Sequence, residues 1–104
     1  MKAYLIDAKQ QTISAVELAD DLAGIRTLIG FDSIDSDEVD ASGDRLFFDE
    51  SCFLRDHSGQ GRFKLDNLAP VAGRAVVTGS SEDGAVLKDA VVGLDALQAR
   101  VTWL

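Results

Sequence analysis

The chain has 104 residues, with 10 basic against 18 acidic side chains and a formal net charge of -8. An apolar fraction of 46% with one proline marks a folded chain rather than a disordered one. Cys52 is the only cysteine, which excludes an intrachain disulfide and any multi-cysteine zinc or iron-sulfur site.

The length suits one domain spanning residues 1 to 104. The start, Met1-Lys2-Ala3-Tyr4-Leu5-Ile6-Asp7, has no signal-peptide pattern, and no segment reaches the ~18 apolar residues of a membrane helix. The expectation is a cytoplasmic protein with no membrane partner.

In chain order, Ala3 and Leu5 alternate with Tyr4 and Ile6, so the first strand is apolar on both faces. Such a strand must be covered twice. After the short polar stretch from Asp7 to Gln11, Thr12 to Leu18 reads as the return strand of a hairpin. Asp20 is placed to cap a helix carrying Leu22, Ile25, Leu28 and Ile29 at helical spacing, with Gly30 as its stop. Ser33 to Asp40, with Ile34 and Val39 separated by four acids, reads as an exposed or edge strand.

Ala41-Ser42-Gly43-Asp44 is a turn signal before the strand Arg45 to Glu50, which Cys52-Phe53-Leu54 extends. Asp56 to Gly61 is a loop, followed by an alternating strand with Phe63 and Leu65. Val71 to Gly79 reads as one strand eased by a bend or bulge at Gly73. Beyond the loop Ser80 to Gly84, Ala85 to Val92 fits either a strand or an extended crossing. A short helix from Leu94 to Arg100 and a last strand from Val101 to Leu104 complete the chain. The order, approximately β-β-α-β-β-β-α-β, indicates an α+β fold: a single antiparallel or mixed sheet with two helices on one face.

The charge is local. Residues 1 to 30 balance at -1 and residues 61 to 104 at zero. Between them Arg45 and Arg55 face Asp32, Asp35, Asp37, Glu38, Asp40, Asp44, Asp49, Glu50 and Asp56, a balance of -7. A concentrated patch gives the field a direction, repelling nucleic acid and anionic membrane at that face. With no basic stripe, direct nucleic-acid binding is not expected.

The opening Met1-Lys2-Ala3-Tyr4-Leu5-Ile6-Asp7, the hairpin after it, the helix ending Leu28-Ile29-Gly30 and the segment Ala72-Gly73-Arg74-Ala75-Val76-Val77-Thr78-Gly79 together resemble a family of small bacterial and phage-associated domains of unknown function. The resemblance implies a shared fold and carries over no catalytic residues. Arg74 is the one charged side chain in that last segment, and two readings apply to it. One is a surface or ion-pairing arginine. The other is a ligand contact, the rarer of the two because binding sites are few per protein.

The acidic run suggests calcium, since hard cations take oxygen ligands. The EF-hand register fails: counted from Asp35 the glycine position holds Asp40, and counted from Asp40 it holds Arg45. Mimicry of nucleic acid by carboxylates is a second reading. Same-face residues on a strand recur every ~6.6 to 6.8 Å, far sparser than duplex charge at one per ~1.7 Å. Cys52, His57 and Asp56 are near enough in sequence for a nucleophile, base and orienting group, against the commoner reading of a buried cysteine and a loop histidine. Gly59-Gln60-Gly61 lacks phosphate-loop spacing, and Asp49 and Glu50 point to opposite faces of a strand.

Phe47 and Phe48 cannot share one face of a strand, so one of them meets a second layer or lies at an interface. The functional expectation is a non-enzymatic protein-interaction module without cofactor, self-associating as a homodimer near residues 45 to 54 or binding another protein. Its candidate patch is Asp32, Asp35, Asp37, Glu38, Asp40, Asp44, Phe47 and Phe48. The alternatives are a nucleic-acid-mimicking inhibitor of a DNA-binding protein, and a ligand-binding domain or enzyme with a deep pocket beside Arg74.

Overall fold

A computed structural model describes residues 1–19, 22–50, 61–81 and 86–104. The described elements follow in the order β1 (Lys2–Asp7), β2 (Thr12–Glu17), α1 (Leu22–Ile29), β3 (Ile34–Glu38), β4 (Arg45–Asp49), β5 (Arg62–Leu65), β6 (Val71–Ala72), β7 (Arg74–Ser80), β8 (Leu87–Lys88), α2 (Leu94–Arg100) and β9 (Val101–Trp103). The class is α+β with two helices, and every pairing among the described strands is antiparallel.

Among the described residues there are two sheets where the sequence suggests one. The larger has the order β2-β1-β7-β4-β3, with β8 paired to the end of β7, and the smaller has the order β6-β5-β9. Gly73 makes the division. Its φ of +80°, a left-handed value that a side chain resists, turns the chain so that Val71 pairs with Phe63 in one sheet and Arg74 with Asp7 in the other. The stretch that reads as one strand is thus a corner between sheets.

The large sheet is covered on both faces, and its alternation explains how. Tyr4, Ile6, Leu46, Phe48, Ala75 and Val77 point into a core completed by Phe63, Leu65 and Val71 of the small sheet and by Leu97 of α2. Ala3, Phe47 and Val76 point the other way, against Ile25 and Ile29 of α1. The two helices therefore lie on opposite faces, which corrects the one-face arrangement expected from the sequence. A sheet whose strands are apolar on both sides requires a layer on each.

Helix α1 ends as its sequence suggests: the Gly30 N–H donates to the Arg26 carbonyl at 2.8 Å with φ at +90°. Asp20, its candidate cap, lies outside the described residues. No helix among the described residues is long and apolar enough to cross a membrane.

Candidate functional site

Among the described strands β3 is the last in its sheet, and it carries the acidic run along that edge. Its register pairs Asp35 with Phe48 and Asp37 with Leu46, so both carboxylates leave the sheet on the side of the larger core, beyond its apolar rim. Glu38 pairs with Arg45 and leaves on the other side, and the Arg45 guanidinium Nε donates to the Ser36 hydroxyl at 3.1 Å. Asp35 and Glu38 are exposed and Asp37 is half-buried, while Asp32 stands exposed just before the strand. Charges along an edge also discourage uncontrolled pairing with another strand.

The hairpin turn after β3 spends its acids on structure. Asp40 Oδ1 accepts the Ser42 N–H at 2.8 Å, and the Val39 N–H donates to the Asp44 carbonyl at 2.9 Å. The Ser42 hydroxyl and N–H, helped by Arg100, hold the Asp40 carboxyl below the usual aspartate range. Arg100, at the end of α2, lies 3.2 Å from Asp40 and donates from Nε to Asp66 at 2.8 Å. Asp66 chiefly, with Asp40 adding, pushes the Arg100 guanidinium up. Gly43 is fixed by proximity and conformation: its φ is +98°, and a Cβ there would meet the Ser80 carbonyl oxygen at 2.8 Å.

Three further members of the candidate patch lie inside the molecule. Asp44 is 1% exposed, and its two carboxylate oxygens accept the N–H groups of Val91 at 2.8 Å and Val92 at 2.9 Å. The carboxylate pins the segment before α2 to the β3–β4 turn. Phe47 and Phe48 are each 7% exposed and fill the two different cores. Each aromatic is covered within the chain. Asp49 is buried as well, whereas Glu50 is exposed. Of the acids in the middle third, Asp32, Asp35, Asp37 and Glu38 form an outward set on and beside β3, and Asp40 and Asp44 form a structural set.

Arg74 opens β7 opposite Asp7, with its Nε 3.6 Å from Asp7 Oδ2 and its side chain 54% exposed. Shallow grooves of about 410, 440 and 360 Å³ lie beside Leu18 and Lys88, beside Arg26 and Phe31, and beside Ile13 and Trp103. Arg74 lines none of these three. Cys52, Asp56, His57 and the Gly59-Gln60-Gly61 segment lie outside the described residues, except that Gly61 is described. Among the described residues, no three His, Cys, Asp or Glu side chains converge as metal ligands.

Sequence reasoning missed the Arg100 bridge and the inward turn of Asp44. The only signal for the first was a lone arginine at the end of a short helix. The second had none, because its partners are backbone groups 47 and 48 residues away. Compared with family models, curated proteins and solved structures, the chain finds no match.

Proposed function

We propose that the chain is a non-enzymatic protein-interaction module that presents the acidic β3 edge to a partner with a basic surface. The observation that carries this reading is the outward set Asp32, Asp35, Asp37 and Glu38 on a terminal strand whose sheet is covered on both faces. With both faces committed to internal packing, an edge is where the sheet is left to meet another molecule. Carboxylates on that edge select a partner by complementary charge and speed its approach.

A second copy of the chain is a poorer occupant of this edge than a basic partner. Antiparallel pairing of two β3 strands sets aspartates near aspartates, and like charges across a ladder destabilise it. The aromatic argument for a homodimer near residues 45 to 54 also loses force, since Phe47 and Phe48 each have a core of their own. Mimicry of nucleic acid is weakened by the same sorting of acids. With Asp40 and Asp44 engaged within the fold, the outward charges are sparser than phosphates on a duplex.

The reading is tested by capture from extracts of the source organism at about 50 mM and about 300 mM salt, where screening differs most for exposed charges. A partner retained at low salt and released at high salt is the expected result. Capture that is indifferent to salt contradicts an acidic docking edge.

A further inference from the structure

At the open end of the larger core, the β1–β2 turn faces α2 and β9 across a groove of about 360 Å³ lined by Gln11, Thr12, Ile13, Gln98 and Trp103. We propose that this groove binds a neutral saccharide, with one sugar ring stacked on the Trp103 indole and its hydroxyls held by the Gln11 and Gln98 amides and the Thr12 hydroxyl.

Four observations carry the assignment. Trp103, the only tryptophan, ends β9 directly across from Phe63, whose ring meets the indole edge-on at 6.3 Å and 67°. Phe63 is fully buried, so the indole is braced from within while remaining only partly buried itself. A partly buried aromatic ring therefore lines the groove. Second, the other lining side chains are two amides, a hydroxyl and an isoleucine, none of which ionises. Such a lining supplies donors and acceptors together and offers no counter-charge, so it suits an uncharged ligand rich in hydroxyls.

Third, Gln11 and Gln98 are exposed, and neither side chain makes a hydrogen bond among the described residues. Their full hydrogen-bonding capacity faces solvent at the rim. Fourth, Gln11 has a φ of +54°, a left-handed value at which glycine or asparagine is the ordinary choice. The other non-glycine residue with positive φ among the described residues, Asp66, is held by its ion pair with Arg100. For Gln11 the φ belongs to the tight turn that closes the β1–β2 hairpin ahead of the Asp7–Thr12 pair, and that turn places the residue at the groove rim.

The chemistry matches on both sides of the ring. A saccharide presents a face of C–H groups, whose burial on an indole is favourable, and a periphery of hydroxyls that lose water only if other groups replace it. The groove volume falls within the range of small-molecule sites, with room for one to two sugar rings.

Because Trp103 is the only tryptophan, its emission reports the groove directly. The test is a titration of the whole chain with cellobiose, maltose and N,N′-diacetylchitobiose, each repeated by calorimetry. The expected result is a saturable emission change with at least one disaccharide and a Kd of about 10 mM or tighter. Gln98→Ala weakens that affinity about fivefold, the equivalent of one hydrogen bond of typical strength. Gln11→Gly is the sharper variant, since it relieves the backbone and keeps the fold at least as stable while deleting the amide. It weakens binding by a similar factor. No saturable change with any of the three at about 50 mM, well above that Kd, overturns the proposal. So does a binding disaccharide whose affinity is the same for wild type, Gln11→Gly and Gln98→Ala.

Discussion

The carboxylate of Asp44 accepts the backbone N–H of Val91 at 2.8 Å, joining the β3–β4 turn to the segment that leads into α2. With Val92 bonded to the other oxygen, one buried anion satisfies two adjacent donors. It sits in the most acidic third of the chain, yet its side chain is turned inward.

Removing it tests that division. Asp44→Ala removes a side chain that is 1% exposed and leaves two part-buried N–H groups without their acceptor, and hydrogen bonds to a charged group contribute about 1.5 to 3 kcal/mol each. The expected loss is about 2 to 4 kcal/mol in urea unfolding, given partial rehydration of the freed donors. Asp35→Asn, on the exposed edge, is expected to change stability by no more than about 0.5 kcal/mol. Equal effects of the two substitutions would erase the distinction between structural and outward acids.

The aromatic pair on β4 tests the two-core architecture. Phe47 packs with Ile25 and Ile29 of α1, and Phe48 with the layer that includes Phe63 and Leu97. Phe47→Ala and Phe48→Ala are each expected to cost about 3 to 5 kcal/mol, as for buried aromatics elsewhere. Each is measured by chemical denaturation, alongside light scattering on wild type. A wild-type dimer that either substitution converts to a folded monomer of unchanged stability would place that ring at an interface instead.

Acid should weaken the cluster at the end of α2 in a defined window. The Ser42 hydrogen bonds and Arg100 lower the Asp40 pKa, so the unfolded chain takes up its proton first as pH falls. The contribution is therefore complete above about pH 4 and is lost as pH drops through the folded-state value. Asp40→Asn lacks this dependence. The difference in urea midpoint between wild type and Asp40→Asn should be constant from about pH 8 to pH 5 and shrink below about pH 4. A difference that grows on acidification would mean that Asp40 is held protonated in the fold. The raised Arg100 value adds no slope in this window, because it titrates far above it.

Much of the fold was legible because its signals are local. The apolar faces of Ala3 to Ile6 required cover on both sides, and α1 and the small sheet supply it. Leu94 to Arg100 and Val101 to Trp103 form the short helix and last strand that their pattern suggests. The acidic run from Ile34 to Glu38 lies at a sheet edge, where its charges remain solvated.

What escaped the sequence depends on distant partners. Gly73 announces a bend, but a bend does not say that Ala72 and Arg74 will join different sheets. Asp44 reads as one more surface acid because its backbone donors lie almost half the chain away. The adjacency of Phe47 and Phe48 already implies that they diverge. That both would be covered followed only once a layer stood on each side of β4.

The proposed docking edge rests on Asp35, Asp37 and Glu38 acting outward. Its most direct measurement is quantitative capture of protein partners by wild type and by the Asp35→Asn, Asp37→Asn, Glu38→Gln triple variant, both first shown to unfold at the same urea concentration. The variant is expected to retain at least about tenfold less of any partner that wild type holds at low salt, the equivalent of ~1.4 kcal/mol shared among three charges. Equal retention by the two proteins would contradict it and return the acids of β3 to solubility alone.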